Sequence, residues 1–263
     1  MNRSLTRGLL LVTLVLAACD RASIPQEPAL GLVPTQQMIG TVSRVTDGAP
    51  DAVSNVLVGR TLALEVGTRG WDENLGSTAY YGFGAQPVAS TVIDAASRYT
   101  LTLPDLVPAA SLAPVTGFWT TTPFKGGACS VQTQQYSDPA MRLGLGTLRV
   151  LAGGALTDTG NVGWPLVFRS TEPVRDYVMQ GLVYADRAGT VNVRYDCVNE
   201  FGTFTMKSDT QLALRAGWNV LVRRTMLRGG LDGMFAYETR SRPVAATGET
   251  LVYLGDALYL DIP

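Results

Sequence analysis

The chain has 263 residues, 46% hydrophobic and 16% charged, the composition of a globular chain and not a disordered one. Its 21 basic and 22 acidic side chains leave a net charge of −1, which argues against nucleic acid or a polybasic membrane patch as a partner. Histidine is absent, which excludes Ser-His-Asp and Cys-His nucleophile systems and any His-ligated zinc, copper or iron.

Residues 1–7 carry two cations, Arg3 and Arg7, and no acid. An apolar run follows over 8–16, and Leu16-Ala17-Ala18-Cys19 closes it. Charged, apolar and small-residue regions in that order predict a secretory signal peptide over 1–18. The alternative, a spanning helix, needs about 20 apolar residues, and Asp20 and Arg21 end this run well short of that.

The Leu16–Cys19 box resembles the lipobox of bacterial lipoproteins. The resemblance implies cleavage before Cys19, a diacylglyceryl group on its thiol, and a location in the extracytoplasmic cell envelope. The partner it implies is the membrane, reached through the lipid anchor, with palmitate-type acyl chains supplying the attachment. Two or more chains make a stable anchor where one is marginal, because each buried methylene contributes about 0.8 kcal/mol. Asp20 directly after the cysteine resembles an inner-membrane retention signal, a rule that differs between envelopes and leaves the leaflet open. Residues 19–37 contain three prolines and no periodicity, so they read as a tether or as a mobile N-terminus.

From Met38 onward the pattern is strand after strand. Residues 61–66 alternate with Leu62, Leu64 and Val66 on one face, and 98–103 with Tyr99, Leu101 and Leu103. The clearest case is 190–198, where Val191, Val193, Tyr195 and Cys197 point one way and Asn192, Arg194 and Asp196 the other. Residues 218–222 set Trp218, Val220 and Val222 against Asn219 and Leu221. Period-two alternation rich in Val, Thr, Tyr and Trp predicts half-buried strands. Further strands are expected at 78–83, 88–93, 117–122, 145–151, 174–184, 201–207, 234–240 and 251–260. Turn signals separate them: Asp47-Gly48, Gly126-Gly127, Gly153-Gly154, Ala188-Gly189, Ala216-Gly217 and Gly229-Gly230. No segment after the signal carries a convincing three-turn amphipathic pattern. The expected fold is all-β, one or two antiparallel sandwiches of immunoglobulin-like or prealbumin-like type. The expected division is a module over 38–110, connecting strands over 111–139 and a second module over 140–263.

Within the first of these, Ile39-Gly40-Thr41-Val42, the strand 62–66 and the stretch from Val92 to Leu101 resemble the carboxypeptidase-regulatory-like modules. Their pattern runs G-x-V, an alternating strand, then D-x-x-G-x-Y-x-L. Ser97 stands where that pattern has glycine, and 67–90 is longer than the usual connection. The resemblance implies a prealbumin-type β-sandwich that acts as a spacer, stability or binding unit, not as a catalyst.

With Cys19 assigned to lipid, Cys129 and Cys197 remain in an oxidising compartment, and a disulfide is the expected state. Two free thiols or a two-cysteine metal site are the alternatives. For ligand binding the candidate is the loop 67–84, with Trp71, Asp72, Glu73, Tyr80, Tyr81 and Phe83 among glycines. Exposed aromatic faces beside carboxylates suit a glycan or peptide partner, and the competing reading is a hairpin that turns these aromatics into the core. Close carboxylate pairs, Glu172 with Asp176, Asp72 with Glu73 and Asp196 with Glu200, are the raw material of a glycosidase, but turn chemistry explains most such pairs. Neither Lys125 nor Lys207 follows serine at S-x-x-K spacing. Asp47-Gly48, Asp158-x-Gly160 and Asp232-Gly233 read as turns before calcium ligands. Arg223-Arg224 with Arg228 reads as a small basic patch or a solvated strand end. No catalytic residue, metal or cofactor is expected. The sequence therefore leads to a non-enzymatic, lipid-anchored envelope component that binds or scaffolds an envelope protein or a glycan.

Overall fold

The computed structural model describes residues 36–255 except 47–48, 51–56, 68–70, 73–85, 121–126, 153–154, 164–166, 172–173, 199–200, 204, 229–233 and 245–248. The described residues are strand joined by turns, with short 3-10 turns at Ala109–Ser111 and Val115–Gly117, so the fold is all-β as the period-two pattern predicts. The first strands are β1 (Gln37–Thr46), β2 (Ala49–Pro50), β3 (Thr61–Gly67), β4 (Trp71–Asp72), β5 (Gln86–Val92) and β6 (Arg98–Thr102). Next come β7 (Ala113–Pro114), β8 (Trp119–Thr120), β9 (Ala128–Tyr136), β10 (Arg142–Ala152), β11 (Ala155–Gly163) and β12 (Val167–Thr171). The last are β13 (Val174–Ala185), β14 (Gly189–Val198), β15 (Thr205–Leu214), β16 (Gly217–Arg228), β17 (Met234–Pro243) and β18 (Glu249–Gly255).

All but β4 and β8 belong to one sheet with the order β2-β1-β18-β11-β10-β13-β16-β17-β15-β14-β9, from which β3, β5, β6, β7 and β12 branch. Most pairings are antiparallel, but β1–β18 and β15–β17 are parallel. Strands from 38–110 are hydrogen-bonded to strands from 140–263: β1 to β18, and β3 to β10 over Thr61–Gly67. Pro34–Pro263 forms one compact unit.

Two hydrophobic cores lie on opposite faces of the central strands. β10 gives Leu148 and Val150 to the first core, Leu143 and Leu145 to the second. β13 divides the same way, Leu182 and Tyr184 against Val183 and Ala185. In β16, Trp218 and Val220 face the first core and Leu221 the second. The expectation of half-buried strands is therefore corrected at the centre: Asn219 and Leu221 are as buried as Trp218 and Val220. In β3, Ala63 and Glu65 are buried along with Leu62, Leu64 and Val66. Strands covered on both faces lose the inside-outside alternation that single-faced strands keep.

Close approach in the first core depends on glycine. A Cβ on Gly146 would stand 2.8 Å from Leu182 Cβ and 2.9 Å from Trp218 Cζ3. Gly146 thus leaves the space over β10 into which the Trp218 ring packs.

Several expected strands have different ends. The run 117–122 starts instead in a 3-10 turn, Phe118 N–H donating to Val115 O, and among its described residues Trp119–Thr120 is extended; 121–122 lie outside them. β15 begins at Thr205 because 201–203 is a turn, and β18 starts two residues before the expected 251. The expected strand at 78–83 lies outside the described residues. Asp158-x-Gly160 is not a turn but the interior of β11, with Gly160 opposite Val150 and Thr159 opposite Leu151. β11 has no apolar alternation of its own; it forms because β10 and β18 offer backbone partners on both sides.

The turn between β5 and β6 shows how sequence sets local geometry. The Asp94 carboxylate accepts from the N–H groups of Ala96 and Arg98, each at 2.8 Å, and meets the Arg98 guanidinium at 2.8 Å. The Arg98 backbone bond leads in holding the Asp94 carboxyl below its ordinary pKa. The turn is therefore supported above the usual carboxylate range and loses that support as pH falls through the lowered value. Ser97, in the position the family pattern gives to glycine, has φ of 58° and is buried, and its hydroxyl has no hydrogen bond among the described residues. Ser97→Gly removes left-handed strain and a buried unsatisfied hydroxyl together. It is expected to stabilise the protein by about 1 kcal/mol in denaturant titration, and a destabilised variant would refute this account of the turn.

Candidate functional site

β3 ends at Gly67, and the described chain resumes at β4, where Trp71 and Asp72 pair in parallel with Trp119 and Thr120 of β8. The proposed aromatic loop thus acquires a residue that sequence reasoning left out, since Trp119 occupies the register position next to Trp71. A two-residue bridge has no periodicity, so only the presence of Trp in the expected strand 117–122 hinted at it. Glu73, Tyr80, Tyr81 and Phe83 lie outside the described residues, as does Cys19.

Cys129 and Cys197 form the disulfide, and they are direct cross-strand partners on β9 and β14. The bridge joins neighbouring strands of one sheet, unlike the inter-sheet bridge of an immunoglobulin sandwich.

The inner face of the β16–β17–β15 region carries a polar stripe that the sequence did not announce. Arg223 is 2% exposed, and its guanidinium lies 4.0 Å over the Tyr237 ring. Thr225 pairs with Tyr237 and Arg223 with Thr239 across β16–β17, while Ser208 and Thr210 flank Tyr237 and Thr239 on β15. All of these are buried, and the Thr210 and Thr225 hydroxyls have no hydrogen bond among the described residues. Of Arg223, Arg224 and Arg228, the patch reading is corrected for Arg223 alone, because successive strand residues face opposite ways; Arg224 and Arg228 are exposed on the other face, as a solvated strand end has them. Parity was the available signal: Arg223 shares its face with Leu221 and Asn219.

The opposite face of these strands is a lattice of alternating charge. Asp209 meets Arg194 at 3.4 Å and Arg240 at 3.6 Å, and Arg242 donates to Gln180 at 2.7 Å. Glu65, buried between β10 and β5, pairs with Arg149 at 3.4 Å. Of the carboxylate pairs, Asp176 lies in β13 opposite Arg169, and Asp196 in β14 opposite Lys207 and Ser130; Glu172 and Glu200 are outside the described residues. Asp47, Gly48, Asp232 and Gly233 are outside them too. Among the described residues no group of three or more Cys, Asp or Glu side chains could hold a metal ion. Among those same residues no helix is long and apolar enough to cross a membrane.

Fold and bridge together define a disulfide-bonded all-β protein. Comparison with protein-family models, with curated proteins and with solved structures finds no match.

Proposed function

We propose that this chain is an exported, lipid-anchored cell-envelope protein that acts without catalysis, as a structural or binding component at the membrane surface. The observation that carries this reading is the Leu16-Ala17-Ala18-Cys19 box behind a short cationic and apolar leader. Two further features support it. A disulfide suits an oxidising compartment outside the cytosol. Without imidazole the chain lacks the side chain that most readily serves as a general base near neutral pH.

Cys19→Ser in the full chain tests the anchor. The variant is expected to lose all acyl labelling and to accumulate as uncleaved precursor or as soluble protein. Mature-length Cys19→Ser protein that still fractionates with membrane would place the anchor elsewhere.

A second reading, in which the mature domain binds a glycan or peptide through aromatic stacking, is favoured by the register that sets Trp119 beside Trp71. Under it, Trp71→Ala should abolish retention on a glycan or peptide matrix that Glu73→Gln leaves intact. A glycoside turnover lost on Glu73→Gln or Glu172→Gln would instead move the protein among the glycosidases.

A further inference from the structure

Among the described residues the most exposed large apolar side chain is Leu106, at 83%. It does not hang on a loose loop. The two carbonyls before it, Pro104 O and Asp105 O, accept from Trp218 Nε1 at 2.9 Å and from the Tyr184 hydroxyl at 3.0 Å. Val107 after it is buried, so Leu106 is held outward between fixed neighbours. The surface around it is almost without charge. Between Arg98 and Lys125 the sequence has one charged residue, Asp105, and Pro108, Ala109 and Ala110 are exposed in that run. Residues 37–43 carry no charge either, and Ile39 is exposed there. This is also the end at which the chain from Cys19 enters the domain, because Gln36 O accepts from Leu103 N–H at 2.8 Å. β14 starts at Gly189, near the finish of β13, and runs away from that end to Val198. The β14–β15 turn that carries Phe201, 76% exposed, therefore lies at the opposite end.

We propose that this end of the domain lies on a lipid bilayer, with Leu106 and the 108–110 surface set into the headgroup boundary. The inference rests on the reading of Cys19 as the anchor. Chain entry selects the bilayer as the occupant. At no more than about 3.5 Å per residue, the stretch from Cys19 to Gln36 keeps this end within roughly 60 Å of a bilayer that holds Cys19. A contact too weak to bind from solution becomes effective once the tether makes it intramolecular. The chemistry of the surface fits the same occupant. Leu106 gains by leaving water, and a nearly uncharged surface enters the boundary without stripping ions of their hydration. The Trp218 and Tyr184 clamps add a further advantage, since a side chain already held outward loses little freedom on docking.

The test reconstitutes the full chain, expressed in a bacterial host, into phosphatidylcholine vesicles doped with a lipid that carries a photoreactive diazirine near its headgroup. Flotation and the mass of the N-terminal peptide read the anchor, and mapped lipid crosslinks read the docking. Crosslinks are expected at 104–110 and not at 201–203. Leu106→Glu changes an exposed side chain and should cut the crosslinks at 104–110 about tenfold while the acylated chain still floats. An acylated, floating chain without crosslinks at 104–110 overturns the docking and leaves the anchor reading standing. So does one crosslinked at 201–203 instead, one whose crosslinks Leu106→Glu leaves unchanged, or one in which a co-purifying protein covers 104–110. A chain without acyl groups that is still crosslinked at 104–110 supports the docking and overturns the anchor. A chain that is neither acylated nor crosslinked overturns both.

Discussion

Trp218→Ala is expected to produce the largest stability loss of any single side-chain truncation in the first core, about 4 kcal/mol. Trp218 is 2% exposed, packs over the glycine gap at Gly146, and stands edge-to-face with Tyr184 at 5.4 Å between ring centroids. Its indole N–H donates to Pro104 O at 2.9 Å, and the Tyr184 hydroxyl donates to Asp105 O at 3.0 Å. The two aromatics thus tie the segment after β6 to the central strands β13 and β16, and burial pushes the Tyr184 phenol pKa up. Removing the indole opens a cavity between a strand and a loop and orphans a carbonyl. For a domain of this size the change should lower Tm by roughly 10 °C. Trp218→Phe keeps the ring contact but loses the hydrogen bond, and should lose only about 1–2 kcal/mol. Denaturant titration of both variants checks the pair; an Ala variant within about 1 kcal/mol of wild type would show that this contact does not hold the core.

Reducing the Cys129–Cys197 bond is expected to lower stability by about 4 kcal/mol, because the bridge closes a loop with a sequence separation of 68. The loss should be spatially uneven. Among the described residues β9 pairs only with β14, and Tyr136 and Cys129 pack partly buried against the second core, so the edge strand should fray before the sheet interior. Hydrogen exchange after reduction should therefore rise first at Ala128–Tyr136, with β13 and β16 opening only on global unfolding. Cys129→Ala combined with Cys197→Ala should reproduce the effect without reductant. Uniform exchange across all strands would show that the bridge acts through the unfolded chain alone and does not pin the edge.

The fold class was legible from alternation because β14 and β6 each have one face on a core and one in water. In β14, Val191, Val193, Tyr195 and Cys197 are buried, while Asn192 and Arg194 are exposed. In β6, Tyr99 and Leu101 are buried between exposed neighbours. The cysteine pairing was legible too, as simple arithmetic once Cys19 is set aside. The candidate site was legible only in part: Trp71 and Asp72 were named, but Trp119 reached them through a bridge that no local pattern encodes.

Residue type and spacing determined by themselves that this chain makes strands, where most of them run, and which face of each single-faced strand turns inward. Side-chain period is a local property, and the hydrophobic effect acts on it directly. Tertiary structure alone decided that β10, β13 and β16 are covered on both sides, that Arg223 goes inside while Arg224 stays out, and that β1 closes on β18 at the far end of the chain. The backbone groups that join one strand to the next are the same in every residue but proline. Which strands become neighbours therefore follows from how the whole chain buries its apolar faces, and no window of sequence contains that answer.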